Sequence, residues 1–389
     1  MRTTRPRKGE PIRLVSTASG VRYRAVLDIS AQGAKRRQIT RTFITIKAAR
    51  EFVTATRAGI TTGTYTPPSA ETVDQVCARW LDTRRDIRPV TLEGYRNHLS
   101  PVLRHLGQRK VQTLSVSDME DITAWLTREG GARGQGLKPR SVKAALVALG
   151  QVLDMAVREG TVPRNVARLV RRPRVRQVAG TDLQHWQPAE LVRFVEHGDT
   201  DSLAAAWRLT ACGMTRADVL GLRWSDVDLA EGVARISQGR VALDHCDHVD
   251  DPKSESRRRA LPVEAMWPGT VAALRTLSAR QAADRLRAGT AYTDSGLVVL
   301  DALGQPVRPE WYSDRFRAVS RAAGLPPITL HSVRHSLAFW LHREGVTPAD
   351  AAALLGHTVE VHLSTYLPHS GASGIAAAAQ VLGRAAAAE

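Results

Sequence analysis

Three short segments near the end of the chain decide how the rest is read: Ile328-Thr329-Leu330-His331-Ser332-Val333-Arg334-His335, then Leu354-Leu355-Gly356-His357-Thr358, then His362-Leu363-Ser364-Thr365-Tyr366-Leu367-Pro368. His331 and Arg334 are three residues apart, a spacing that places both on one face of a helix. Gly356 punctuates the apolar run before it, and Tyr366 follows nine residues after His357. A lone Tyr or His is more often a structural residue. Here the weight lies on imidazole, guanidinium and phenol recurring together at short intervals.

Upstream, Gly232-Val-Ala-Arg-Ile-Ser and Arg257-Arg-Arg-Ala-Leu-Pro-Val flank a polar turn, Asp251-Pro252-Lys253-Ser254. This predicts a strand-rich patch over 227–263 inside a mainly helical domain spanning 180–389, with an Ala-rich helical tail from Ile375 to Glu389. Before it, residues 70–173 read as all helical. Val73, Val76, Cys77, Trp80 and Leu81 have helical spacing, as do Tyr95, Leu99, Val102, Leu103 and Leu106. The loop Gly130 to Gly136 and the basic linker Arg171-Arg172-Pro173-Arg174 punctuate this domain. Residues 1–66 form a third module. Strands are expected at Ile12–Leu14, Val21–Leu27 and Gln38–Phe43, with turns at Gly20 and Gly33, then a helix over Lys47–Ala58 and the breaker Thr66-Pro67-Pro68-Ser69.

Charge points to partners. The net charge is +17, and residues 1–50 hold 13 Lys/Arg against only Glu10 and Asp28. A surplus this large favours nucleic acid first and an anionic membrane surface second. The candidate contacts in the first module are Arg22, Arg24, Lys35, Arg36, Arg37 and Arg41; the bland reading of these residues is a solvated sheet face. Cys77, Cys212 and Cys246 are far apart with no CxxC pair, so they read as ordinary thiols of a reducing compartment. No apolar run approaches the roughly 20 residues of a membrane span, and no apolar segment of a secretory signal follows the basic N-terminus. A cytoplasmic, DNA-bound protein is expected.

The His-x-x-Arg pair, the Leu-Gly-His box, a Tyr nine residues on and a Lys in a polar turn between strands resemble the tyrosine recombinases, or phage integrases. The resemblance spans the chain, although for the first module it rests on organisation alone. It implies an integrase-type α+β fold with an arm-binding module, a helical core-binding domain and a catalytic domain. It further implies a site-specific recombinase of mobile DNA that cuts and rejoins duplex DNA through a 3′-phosphotyrosine on Tyr366. Under it Lys253 is the general acid for the leaving 5′-oxygen, His331 helps move the tyrosine proton, and His357 and Arg334 bond the scissile phosphate. Oriented guanidinium and imidazole donors suit the charge that builds on non-bridging oxygens. The covalent intermediate conserves bond energy, so neither ATP nor a metal is implied. The implied partners are core-type and arm-type DNA sites, a homotetramer passing through a Holliday junction, an excisionase and a host DNA-bending protein.

One box departs from the family. Gly213-Met214-Thr215-Arg216-Ala217-Asp218-Val219-Leu220-Gly221-Leu222-Arg223-Trp224 keeps the register, but Thr215 stands where the family has Arg. Arg216 is one residue late, about 100° further round a helix. Either the helix starts differently and Arg216 joins the site, which is the expectation adopted, or Arg257 or Arg258 substitutes, or the chain is a catalytically impaired DNA-binding regulator on the same fold. His331 and His335 also form an i, i+4 pair that could ligate zinc, but without the Glu of HExxH and with cationic Arg334 in the same turn.

Overall fold

The computed structural model describes residues 5–18, 20–29, 38–62, 65–174, 184–243, 246–250 and 258–366. The chain divides into two compact units, 1–175 and 176–389.

The first unit opens with a meander of β1 (Ile12–Thr17), β2 (Gly20–Asp28) and β3 (Gln38–Phe43), antiparallel in the order β1-β2-β3. Period-two alternation sends Tyr23, Ala25 and Leu27 inward. They pack with Ile12 against Ala49 and Val53 of α1 (Ile46–Thr61), whose N-terminus is capped by the Thr45 side chain accepting from the Ala48 N–H.

Four helices follow in the same unit: α2 (Val73–Asp82), α3 (Pro89–Leu106), α4 (Val116–Arg128) and α5 (Pro139–Arg158). Their starts are written in the sequence. Thr72 and Ser115 each form a reciprocal capping box, with Gln75 and Asp118, and Pro89 and Pro139 open their helices in the first turn. The apolar stripes meet in a core separate from that of the sheet, with Trp80, Leu99, Ile122, Leu126, Leu149 and Leu153 buried. Fully burying one such aliphatic side chain contributes about 1.5–3 kcal/mol.

In the second unit α6 (Pro188–Gly198), α7 (Ala204–Ala211) and the short α8 (Arg216–Gly221) lead into strands. β4 (Val227–Asp228) pairs with β5 (Val233–Ile236), and β5 pairs with β8 (Arg259–Leu261). The expected strands thus pair with each other. A further hairpin of β6 (Gly239–Leu243) and β7 (Cys246–Asp250) lies between them in sequence. The helices α9 (Val263–Met266), α10 (Thr270–Ala288), α11 (Pro309–Ala322), α12 (Leu330–Arg343), α13 (Pro348–Leu355) and α14 (Val359–Tyr366) complete the unit. Its core is aromatic: Trp186, Phe194, Trp207, Tyr312 and Phe316 are buried together, and the rings of Trp207 and Tyr312 stack at 4.7 Å. The expected tail helix over 375–389 lies outside the described residues. Among the described residues no helix is long and apolar enough to cross a membrane.

Candidate active site

The site is assembled where α12, the α13–α14 turn and the loop before α8 meet. Thr329 caps α12 by accepting from the Ser332 N–H, which fixes the helix phase so that Arg334 faces inward. Arg334 is buried, and its guanidinium is held at two points. Nη1 donates to the Gly213 carbonyl at 3.1 Å, and Nη2 meets Nδ1 of His357 at 3.3 Å. Gly213 has φ +80°, and an added Cβ would fall 2.9 Å from a Leu355 methyl and 3.0 Å from one of Leu337. Glycine is required there both by the backbone and by the space, and that places the carbonyl under Arg334.

His357 is aimed by a helix end. Gly356 is the left-handed C-cap of α13 at φ +64°, and its N–H returns to the carbonyl of Ala353. The His357 ring then lies between Arg334 and His362, with Nε2 3.0 Å from Nδ1 of His362. Burial pushes the His357 imidazole down to about 4, helped by the Arg334 charge, so the ring is neutral at pH 7. His335 is likewise pushed to about 4, by burial first and then by neighbouring His331 and Arg334. His331 is exposed at the start of α12, its ring packed edge-on against His335 at 4.6 Å. This is a ring contact, and among the described residues no group of three or more His, Cys, Asp or Glu side chains could hold a metal ion. Tyr366 is the last residue of α14, and only its backbone is described. Lys253 lies outside the described residues.

The structure does not bring Arg216 to this cluster. Thr215 is the N-cap of α8 and forms a reciprocal capping box: its hydroxyl accepts from the Asp218 N–H, and Asp218 accepts from the Thr215 N–H at 2.9 Å. Arg216 is therefore the first helical residue. Its guanidinium is committed to α11, where it donates to Ser313 Oγ at 2.9 Å and the Pro309 carbonyl at 3.2 Å. The expectation that a shifted helix start would turn Arg216 towards Arg334 is corrected: the cap fixes the start one residue too early for that.

A second cation near the Leu-Gly-His turn, besides Arg334, is Arg259, a residue the sequence reading passed over in favour of Arg257 or Arg258. Its Nε donates to the Leu354 carbonyl at 2.9 Å, and Nη2 lies 3.6 Å from the Asp218 carboxylate, both side chains being buried. Its charge also contributes to holding His357 neutral. The signal was available. In β8, period two puts Arg259 on the same face as buried Leu261, with Ala260 on the other. Arg257 lies outside the described residues.

The first-module arginines divide between two faces of the sheet. Arg24 pairs in register with Arg13 and Thr42, on the face opposite Tyr23 and Ala25, and Arg22 shares that face by period two. Arg41 pairs with Ala25 on the helix-covered face, where its guanidinium lies 5.8 Å from the Phe43 ring and 5.7 Å from that of Phe52. Lys35, Arg36 and Arg37 lie outside the described residues.

Residues 182–371 match the phage integrase family. This segment carries the domain of the phage integrase family, and tyrosine recombinases are among the chain's relatives. Among recombinase relatives the chain is similar to an integrase of Streptomyces ambofaciens, 28% identical over 307 residues that cover 75% of this chain and 74% of that one. A XerC-like tyrosine recombinase of Caldanaerobacter subterraneus is 23% identical over 240 residues, 58% of this chain. The chain spans 61% of the length of that relative and 52% of a XerC recombinase of Shewanella amazonensis. In fold it resembles the Tn1549 transposon integrase solved with a circular intermediate DNA, with a TM-score of 0.62 and 18% identity over 80% of this chain and 99% of that one. A lambda integrase dimer bound to a core site aligns over 95% of this chain and 98% of that one, with a TM-score of 0.53 and 16% identity. These likenesses support the integrase-type α+β fold that the motifs imply.

Proposed function

We propose that this recombinase family member is a site-specific DNA recombinase that cuts and rejoins duplex DNA through a 3′-phosphotyrosine on Tyr366. The observation that carries the reading is the buried Arg334, pinned between the Gly213 carbonyl and His357 at the base of the helix that ends in Tyr366. A guanidinium locked before substrate arrives costs no reorganisation when charge develops on a phosphate. Arg334 and His357 stabilise the pentacoordinate phosphate, the Tyr366 hydroxyl attacks phosphorus, and the 5′-oxygen leaves with a proton from Lys253. His331, exposed beside His335, moves the tyrosine proton. The product is a phosphotyrosine ester and a free 5′-hydroxyl, so the same path reversed rejoins the strand.

Residues 1–66 contact arm-type sites with Arg22, Arg24, Lys35, Arg36, Arg37 and Arg41, residues 70–173 and the catalytic domain hold the core site, and four copies exchange strands through a Holliday junction. The lambda integrase that shares this fold has been solved as a tetramer on such a junction. An excisionase and a host DNA-bending protein set direction. The test is a nicked suicide duplex incubated with protein and run on a denaturing gel. A covalent adduct of equal yield in EDTA and in magnesium is expected, and strict metal dependence would overturn the mechanism.

A second reading has its own observation. Thr215 is spent on capping α8 and Arg216 on α11, so the family's other phosphate-binding guanidinium is not supplied from this box. A chain that binds DNA as a recombinase but cuts it poorly, acting as a regulator, follows from that.

A further inference from the structure

Neutral His357 has a single N–H, and the geometry says where it points. A guanidinium only donates, so the Nδ1 that Arg334 meets at 3.3 Å must carry a lone pair. The proton of His357 therefore sits on Nε2, 3.0 Å from Nδ1 of His362. His362 accepts through Nδ1 and carries its own proton on Nε2. The two rings lie nearly parallel, 11° apart in plane with centroids at 5.2 Å, and His362 is fully buried. One directed chain of donors thus runs from Arg334 through His357 to His362. His362 stands on α14 one helical turn before Tyr366, so any shift of α14 that carries the tyrosine carries His362 with it.

The N–H that the recombinase mechanism assigns to a phosphate is therefore already occupied, by a residue on the helix that bears the nucleophile. We infer that His362 is a positioning residue that gates the site: it accepts the Nε2–H of His357 while α14 is seated and yields it to a DNA phosphate oxygen when α14 advances Tyr366. The inference rests on reading His357 as a phosphate donor. A bond between two neutral rings is exchanged for one to an anion, and hydrogen bonds to charged groups are roughly twice as strong. Bound DNA therefore favours the exchange, and without DNA the donor stays capped. The arrangement ties the phosphate donor and the nucleophile to one movement.

The experiment uses the full chain labelled with 15N-histidine. The probe is a nicked duplex enriched from a random library by binding to the Tyr366→Phe variant. Free protein should show scalar coupling across the hydrogen bond between His357 Nε2 and His362 Nδ1, and the DNA complex should lose it. Coupling that persists in the complex, or is absent from free protein, overturns the gate. Single-turnover cleavage over a range of duplex concentrations reads the role. His362→Leu puts an apolar side chain in place and removes the acceptor. It should lower the half-saturating DNA concentration about two- to tenfold, the worth of one neutral hydrogen bond, with the cleavage rate at saturation unchanged. His362→Asn, which puts an amide oxygen where Nδ1 was, should return to the wild-type half-saturation, and both differences should vanish in a His357→Ala background. An unchanged or raised half-saturation in His362→Leu, or an effect that survives in His357→Ala, contradicts the gate. Should no variant form an adduct, the recombinase reading falls, while the coupling experiment, which needs only binding, still decides the exchange.

Discussion

Two helix starts in the second unit look alike in sequence and do opposite things. At α12, Thr329 caps the helix and the phase it sets turns Arg334 inward, onto the Gly213 carbonyl and His357. At α8, Thr215 caps the helix and the phase it sets turns Arg216 onto α11. In the first case the cap lies five residues before the arginine; in the second it lies one before, in the slot where the family has the arginine itself. A cap residue decides where every side chain after it points, so a substitution at a cap can cost a site more than the group it removes. The contrast is between a guanidinium held by the Gly213 carbonyl and His357 and one held on α11, with Arg259 between the Leu354 carbonyl and Asp218.

The largest effect expected of a single substitution at this contrast is at Arg334. Arg334→Ala should slow cleavage by about two to three orders of magnitude, the range for losing an oriented donor to a developing oxyanion. Quenched time courses on the suicide duplex measure it, and a loss below tenfold would place Arg334 among structural residues. The start of α8 should respond in the reverse sense. Thr215→Arg should raise cleavage about tenfold or more even though losing the cap costs about 1 kcal/mol of stability, whereas Arg216→Ala should change the rate by less than about threefold. A near-dead Arg216→Ala would mean that its side chain leaves α11 on DNA.

A gentler comparison sets the first module against the rest. Deleting residues 1–65 should lower the log–log salt slope of binding by about 0.9 for each DNA phosphate that is no longer neutralised, with the open-face residues Arg22 and Arg24 accounting for more of it than Arg41. An unchanged slope would return this sheet to the role of a solvated face.

The smallest effect is on stability. His335 and His357 titrate near 4 in the folded chain, against 6.5 for an ordinary imidazole. Between those values the unfolded chain takes up protons that the folded one resists, so stability should be full above about pH 6.5 and fall as pH drops towards 4. Melting temperatures across that window check this, and a flat profile would show the rings to be better hydrated than their burial implies.

Much of the fold was legible in the amino-acid sequence. The strands at 12–43 and the helix after them followed from period-two alternation and turn residues, and the helical stripes of 73–158 from spacing and caps. Arg334 and His357 stood out through the resemblance of their His-x-x-Arg and Leu-Gly-His motifs, and the fold brings the two side chains to 3.3 Å. Arg216 was misjudged because the hydroxyl of Thr215 was weighed as a missing charge and not as a cap that sets phase. Arg259 was passed over because three arginines in a row look equivalent until alternation assigns each a face. The hairpin at 239–250 lies inside the strand-rich patch expected over 227–263, but its two strands were not singled out because its polar run carries little alternation. His362 could not be found from spacing at all, since its partner is chosen by how α14 folds back on the α13 turn.

The central claim is that the pocket built on Arg334 serves a covalent bond to Tyr366. It is tested most directly by digesting the adduct from the nicked duplex and mapping the nucleotide-bearing peptide by mass spectrometry. The account predicts a phosphodiester on Tyr366, absent from Tyr366→Phe, which should bind the same duplex with nearly unchanged affinity. An adduct on another residue, or one that persists in Tyr366→Phe, would contradict it.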